Sequence, residues 1–178
     1  MLEFTAAGIS DGELWRVFSG HLIHVSWQHL WVNLAGLVFC QFLFSLPLRH
    51  LLGLSIWTSI VVSTGLLVLT NYQYYLGLSG ILHAWLTAGA ILTLYGASEN
   101  RTRIISRAVL LLLLCKVGFE LLQDPTTELA SSMEQFIDSP IVTEAHWLGL
   151  VAGSVYATIY IVMLKITRIS PIFGRTRT

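Results

Sequence analysis

Five stretches of this chain are apolar over about the length a helix needs to cross a bilayer, roughly 20 residues each. They run over 26–46, 51–70, 79–97, 104–122 and 146–166. No soluble core of this size hides that much apolar surface. Of the 178 residues, 54% are hydrophobic and only 11% are charged, where a soluble domain carries about 25% charged residues. The sequence predicts an all-α integral membrane protein of five transmembrane helices, forming one domain over 1–178. The only long connection, about 123–145, is acidic and contains Pro125 and Pro140. The first span ends at Pro47, and the uncharged connection Asn71-Tyr72-Gln73-Tyr74-Tyr75 carries tyrosines suited to a membrane interface.

Charge placement predicts a direction. Arg49, Arg101, Arg103, Arg107, Lys165, Arg168, Arg175 and Arg177 follow spans one, three and five, leaving only Arg16 and Lys116 elsewhere. Of the acidic residues, only Glu99 shares the basic side. By the positive-inside rule the C-terminus is cytoplasmic and the N-terminus outside. The opening 20 residues are polar and mildly acidic, so no cleavable signal peptide is expected. With a net charge of zero and no basic run, no nucleic-acid partner is expected. Cys40 and Cys115 sit in apolar runs and are read as thiols, not as a disulfide or metal site.

Against this background the reactive side chains concentrate at one depth. Ser79 opens span three within Gly77-Leu78-Ser79-Gly80, His146 opens span five, and His24, His29 and Asn33 lie along the start of span one. Ser79 precedes Arg101 by 22 residues, and His146 precedes Arg168 by 22. At 1.5 Å per residue both lie about 33 Å from the cytoplasmic charges, near the outer face. A serine hydroxyl becomes a useful nucleophile when an adjacent base takes its proton. Gly149 and Gly153 on span five, with Ala84 and Ala88 on span three, have the small-xxx-small spacing that lets membrane helices approach closely. His29 and Asn33 share a helical face and both can donate to a developing oxyanion.

Each element alone has a blander reading. Gly-x-Ser-Gly in a small-residue helix is more often packing than chemistry, and a lone histidine is more often a satisfied polar residue. His21, His24 and His29 raise a metal or haem alternative, but no Cys, Asp or Glu joins them at that depth, so no metal or cofactor is expected. His21 reads as interfacial. Lys116 and Glu120, four apart in span four, read as a mutual ion pair. Glu144 does not share a helical face with His146, so the expected apparatus is a Ser79–His146 dyad without a carboxylate.

Taken in order, Trp15-Arg16, His24-x-x-x-x-His29-x-x-x-Asn33, Gly77-x-Ser79-Gly80 and Ala145-His146-x-x-Gly149-x-x-x-Gly153 resemble the rhomboid family of intramembrane serine proteases. The resemblance implies Ser79 as nucleophile, His146 as base, and His29 and Asn33 as oxyanion donors. His24, Gly77, Gly80, Gly149 and Gly153 would support them. The family often has an aromatic residue one turn after the serine, where this chain has His83. That feature and the run Gly77–His83 are most similar to the rhombosortase branch. The branch implies a bacterial inner-membrane enzyme that removes the C-terminal Gly-Gly-containing membrane anchor of secreted proteins, its site open to the periplasmic side. A general rhomboid protease of other transmembrane substrates, or a non-enzymatic binder of transmembrane segments, are the alternatives. The family's first span, before the Trp-Arg loop, is absent or truncated in this reading, since Trp15 lies 14 residues after Met1.

Overall fold

The computed structural model describes residues 1–122, 132, 134–136 and 141–167. Pro125, Pro140 and much of the acidic connection that holds them, with the basic residues Arg168, Arg175 and Arg177, lie outside the described residues. Among the described residues the chain is all-α apart from two strands of two residues each. In order, it forms β1 (Phe4–Thr5), α1 (Ala6–Ser10), α2 (Arg16–Ser19), α3 (Trp27–Phe44), α4 (Leu48–Leu69), β2 (Tyr74–Tyr75), α5 (Ser79–Gly96), α6 (Asn100–Leu122) and α7 (Thr143–Thr167).

The five long helices coincide with the five apolar windows, and the differences at their ends are physical. Helix α3 begins where Ser26 accepts a hydrogen bond from the His29 N–H at 3.1 Å, the standard way to satisfy a free first-turn donor. It ends at Ser45, whose left-handed conformation (φ 45°) turns the chain toward Pro47. Pro47 then stands at the N-cap of α4, just before its first helical residue, where its fixed φ is compatible with the entry and its missing N–H breaks no helical hydrogen bond. Helix α6 starts four residues earlier than its hydropathy indicates, since Arg101 and Arg103 are helical without being apolar. Helix α7 likewise starts at Thr143, with Glu144 in its first turn, where a carboxylate favours the positive end of the helix dipole.

Helix α5 is the centre of the bundle and touches α3, α4, α6 and α7. Its residues are small where neighbours approach. Ala84, Ala88 and Ala90 are fully buried, and a Cβ placed on Gly89 would run into the Phe44 ring of α3. Polar groups also tie the helices together. The Trp57 indole of α4 donates to the Ala152 carbonyl of α7 at 3.0 Å, and Trp85 of α5 donates to the Ser55 hydroxyl of α4 at 3.1 Å. Such bonds hold a bundle in lipid, where apolar contact with a neighbour offers little gain over contact with acyl chains.

The exterior carries many large apolar side chains. On α3 alone Trp27, Trp31, Val38, Phe39 and Phe42 are exposed, Phe42 at 82%. A surface of this kind needs hydrocarbon around it. Helices α4 and α7 are long and apolar enough by length and composition to cross a membrane.

The segment before α3 is stapled to the loop before α5. Phe4 pairs with Tyr75 and Thr5 with Tyr74 in an antiparallel ladder, and Phe4 is fully buried. Arg16 is buried as well; it donates to the Glu3 carbonyl at 2.7 Å and pairs with Glu13. His21 is also internal, at 1% exposure. Its Nε2 lies 3.3 Å from the Ser63 hydroxyl of α4, and burial pushes its pKa down to about 4, so it is held neutral. Together these contacts fix the loop that delivers Ser79.

Candidate active site

Gly77 sets the entry to the site. Its φ of +117° lies where side chains are strained, and an added Cβ would fall 2.8 Å from the His29 ring. Its N–H donates to the Gly20 carbonyl at 3.1 Å, and its own carbonyl accepts the Tyr75 hydroxyl at 2.7 Å. Burial pushes the Tyr75 phenol up to about 12, which keeps it a donor at any ordinary pH. Two residues later Ser79 is the first residue of α5. Gly77→Ala is therefore expected to displace the loop and lower turnover at least tenfold, a cost of roughly 1–3 kcal/mol for backbone strain. Turnover and the thermal midpoint, measured together, check it; full activity would contradict it.

Helix α7 brings His146 to the serine. The Ser79 Oγ lies 3.1 Å from His146 Nε2. This contact depends on two glycines of α7 that meet α5 backbone to backbone: Gly149 abuts the Gly80 carbonyl and Gly153 abuts Ala84. Gly80 in turn sits 3.0 Å (as an added Cβ) from the Ala145 carbonyl, so its lack of a side chain serves the same approach. His83, one turn along α5, stacks on the His146 ring with centroids 4.3 Å apart and planes 19° from parallel. Its Nδ1–H donates to the Ser79 carbonyl at 2.7 Å.

Helix α3 supplies the opposite wall. His29 and Asn33, both buried, line the same cavity of about 300 Å³ as Ser79, His83 and His146. Asn33 Nδ2 and His29 Nδ1 are buried without a partner among the described residues. Unpaired buried polar groups are costly, and both side chains line a cavity that a ligand oxygen can occupy. His24 supports this wall from outside the helix, its ring edge-on to His29 at 5.0 Å. Burial lowers the His24 imidazole pKa, with the Leu22 backbone opposing. Of the residues singled out from the sequence, Ser79, His146, His29, Asn33 and His83 line this cavity, His24 and Gly77 stand against His29, and Gly80, Gly149 and Gly153 form the close contact of α5 with α7.

One group was read differently. Lys116 and Glu120 do form the expected pair, 2.6 Å apart through Oε1. The second carboxylate oxygen, however, lies 2.8 Å from His146 Nδ1. The dyad expected from the sequence needs no carboxylate, since Glu144 does not share a helical face with His146; the structure brings one to the imidazole from α6 instead, as Glu120. The available signal was depth: Glu120 lies near the outer end of span four, level with His146.

A hydroxyl–imidazole pair beside unpaired donors, in a largely apolar cavity inside a bundle with an apolar exterior, defines an integral membrane protein with a few polar groups gathered at its centre. The chain belongs to the rhomboid family: the Rhomboid domain matches residues 11–163. Membership implies an intramembrane serine protease that acts on transmembrane substrates within the lipid bilayer. Among curated proteins, none matches the chain closely enough to count as a relative.

Proposed function

We propose that the protein is a serine endopeptidase of the rhombosortase type, with Ser79 as nucleophile and His146 as its base. The observation that carries this reading is the 3.1 Å contact between Ser79 Oγ and His146 Nε2, made beside unpaired donors on α3. In the first step Ser79 Oγ bonds to the scissile carbonyl carbon while its proton passes to His146 Nε2. The oxyanion accepts hydrogen bonds from His29, Asn33 and the Ser79 N–H, residues that line the cavity before the substrate arrives. Collapse of the intermediate breaks the C–N bond, and His146 returns the proton to the leaving amine. Water then attacks the acyl-serine by the same route in reverse.

In this reading all five long helices cross the bilayer. The Lys and Arg residues that follow spans one, three and five in the sequence support a cytoplasmic C-terminus, with the cavity toward the outer face of a bacterial inner membrane. A Gly-Gly target suits the cavity: glycine weakens a substrate helix by about 1 kcal/mol per residue and lets its backbone approach the serine closely.

Co-expression with two reporters tests the specificity. A reporter ending in a Gly-Gly membrane anchor is expected to be cut, and to survive intact with Ser79→Ala. An ordinary rhomboid transmembrane reporter is expected to be spared. The reverse pattern, with the ordinary reporter cut and the Gly-Gly reporter intact, would make the protein a general rhomboid protease.

A further inference from the structure

The proposed base has a second nitrogen, and its surroundings are unusual for a group facing lipid-embedded helices. His146 Nδ1 stands 2.8 Å from Glu120 Oε2, while Glu120 Oε1 stands 2.6 Å from Lys116 Nζ. Lys116 Nζ is itself 3.3 Å from His146 Nδ1. Glu120 is largely buried, its side chain 15% exposed, and Lys116 is half exposed. Ionisable groups at this depth are expensive, and a pair that neutralises itself already meets that cost. Mutual pairing therefore explains why Lys116 and Glu120 coexist. It does not explain why one carboxylate oxygen is turned to the imidazole.

The tautomer of His146 gives that orientation a consequence. For Nε2 to accept the Ser79 proton, the neutral ring must carry its hydrogen on Nδ1. A carboxylate at Nδ1 accepts that hydrogen and selects this form. An ammonium at Nδ1 selects the other, with Nε2 protonated and unable to act as base. The two neighbours thus favour opposite tautomers, and the carboxylate is the nearer.

We propose that Glu120 is a positioning residue that completes a Ser79–His146–Glu120 relay, holding His146 in the Nδ1–H tautomer and stabilising the imidazolium formed during attack, with Lys116 as its counter-ion. The proposal rests on Ser79 and His146 acting as nucleophile and base. The proton moves only between Ser79 Oγ, His146 Nε2 and the leaving amine; the hydrogen on Nδ1 stays on His146 throughout. Other ionisable groups around the ring are His83, stacked on it from α5, and Glu144 in the first turn of α7. Only Glu120 and Lys116 make contact with Nδ1 among the described residues.

The test measures kcat and KM on a cleavable transmembrane substrate, using the full chain in proteoliposomes. It compares wild type with Glu120→Gln, Glu120→Ala, Glu120→Asp, Lys116→Gln/Glu120→Gln and Ser79→Ala. Glu120→Gln is expected to lower kcat roughly 10³- to 10⁴-fold, because an amide at Nδ1 can donate and trap the wrong tautomer. KM should stay within about threefold, since the lost interaction belongs to the transition state. Glutamine should be at least as damaging as alanine, and aspartate should restore part of the rate. A packing role predicts the opposite order, with the isosteric glutamine mild and alanine severe. The Lys116→Gln/Glu120→Gln double variant leaves no unpaired ammonium to unfold the bundle, and it should be as inactive as Glu120→Gln. Glu120→Gln retaining more than about a tenth of wild-type kcat, or the double variant recovering it, would overturn the proposal. Cleavage by Ser79→Ala at the wild-type rate is a different failure: it removes the nucleophile assignment, and the relay with it.

Discussion

Replacing Ser79 or His146 by alanine is expected to lower kcat on a transmembrane substrate by roughly 10⁴- to 10⁶-fold, with the double variant no worse than either single one. The magnitude follows from how the two side chains act. Ser79 Oγ and His146 Nε2 are 3.1 Å apart and form one unit: the hydroxyl is not a nucleophile without the base, and the base has nothing to activate without the hydroxyl. Removing either removes the unit. A residual rate should remain because the proposed oxyanion donors, His29, Asn33 and the Ser79 N–H, are still in place when water attacks. Neither substitution should destabilise the fold much. Ser79 is the first residue of α5, and His146 keeps no helix in place that Gly149 and Gly153 do not already hold. Rates of substrate cleavage, measured beside the thermal midpoint, separate loss of chemistry from loss of structure. A strictly additive double variant would mean that the two side chains act independently.

The second large effect is expected at Gly149. A Cβ at this position would overlap the Gly80 carbonyl, which is helix backbone and cannot rotate aside. Helix α7 must retreat from α5, and His146, nearly one turn before Gly149, retreats with it. Gly149→Val is thus expected to cost roughly 3 kcal/mol, at the upper end of what overpacking costs. Activity should fall to the level of His146→Ala even in molecules that remain folded. Gly118 of α6 offers the contrast. Nothing lies within 4 Å of a Cβ added there, so Gly118→Ala should raise stability by up to about 1 kcal/mol through helix propensity alone. Thermal unfolding in detergent would distinguish the two. Equal midpoints for Gly149→Val and wild type would contradict the close α5–α7 contact.

Why some of this could be read from the chain and some could not follows from the range of each interaction. Helix positions depend on runs of apolar residues, and the windows 79–97 and 104–122 correspond to α5 (Ser79–Gly96) and α6 (Asn100–Leu122). The layer holding Ser79, His146, His29 and Asn33 was legible because helical rise converts residue counts into depth. Gly149 and Gly153 were legible because close helix approach demands small side chains at a fixed spacing. Rotation of one helix against another has no such signature. Whether Glu120 ends its interactions at Lys116 or continues to His146 depends on which way α6 faces, and an i, i+4 pair looks complete by itself. The buried strand pairing of Phe4 with Tyr75 was equally hidden, because two-residue strands carry no periodicity. Tyr75 illustrates the same limit: its composition suits a membrane interface, but its hydroxyl holds the Gly77 carbonyl behind the serine.

The central claim is that Ser79 is a nucleophile activated by His146. Labelling of the purified protein with a fluorophosphonate probe tests it most directly, since the probe reacts covalently with an activated serine and needs no knowledge of the substrate. The account predicts strong labelling of wild type and none of Ser79→Ala, with His146→Ala reduced to near background. Equal labelling of wild type and Ser79→Ala would contradict it.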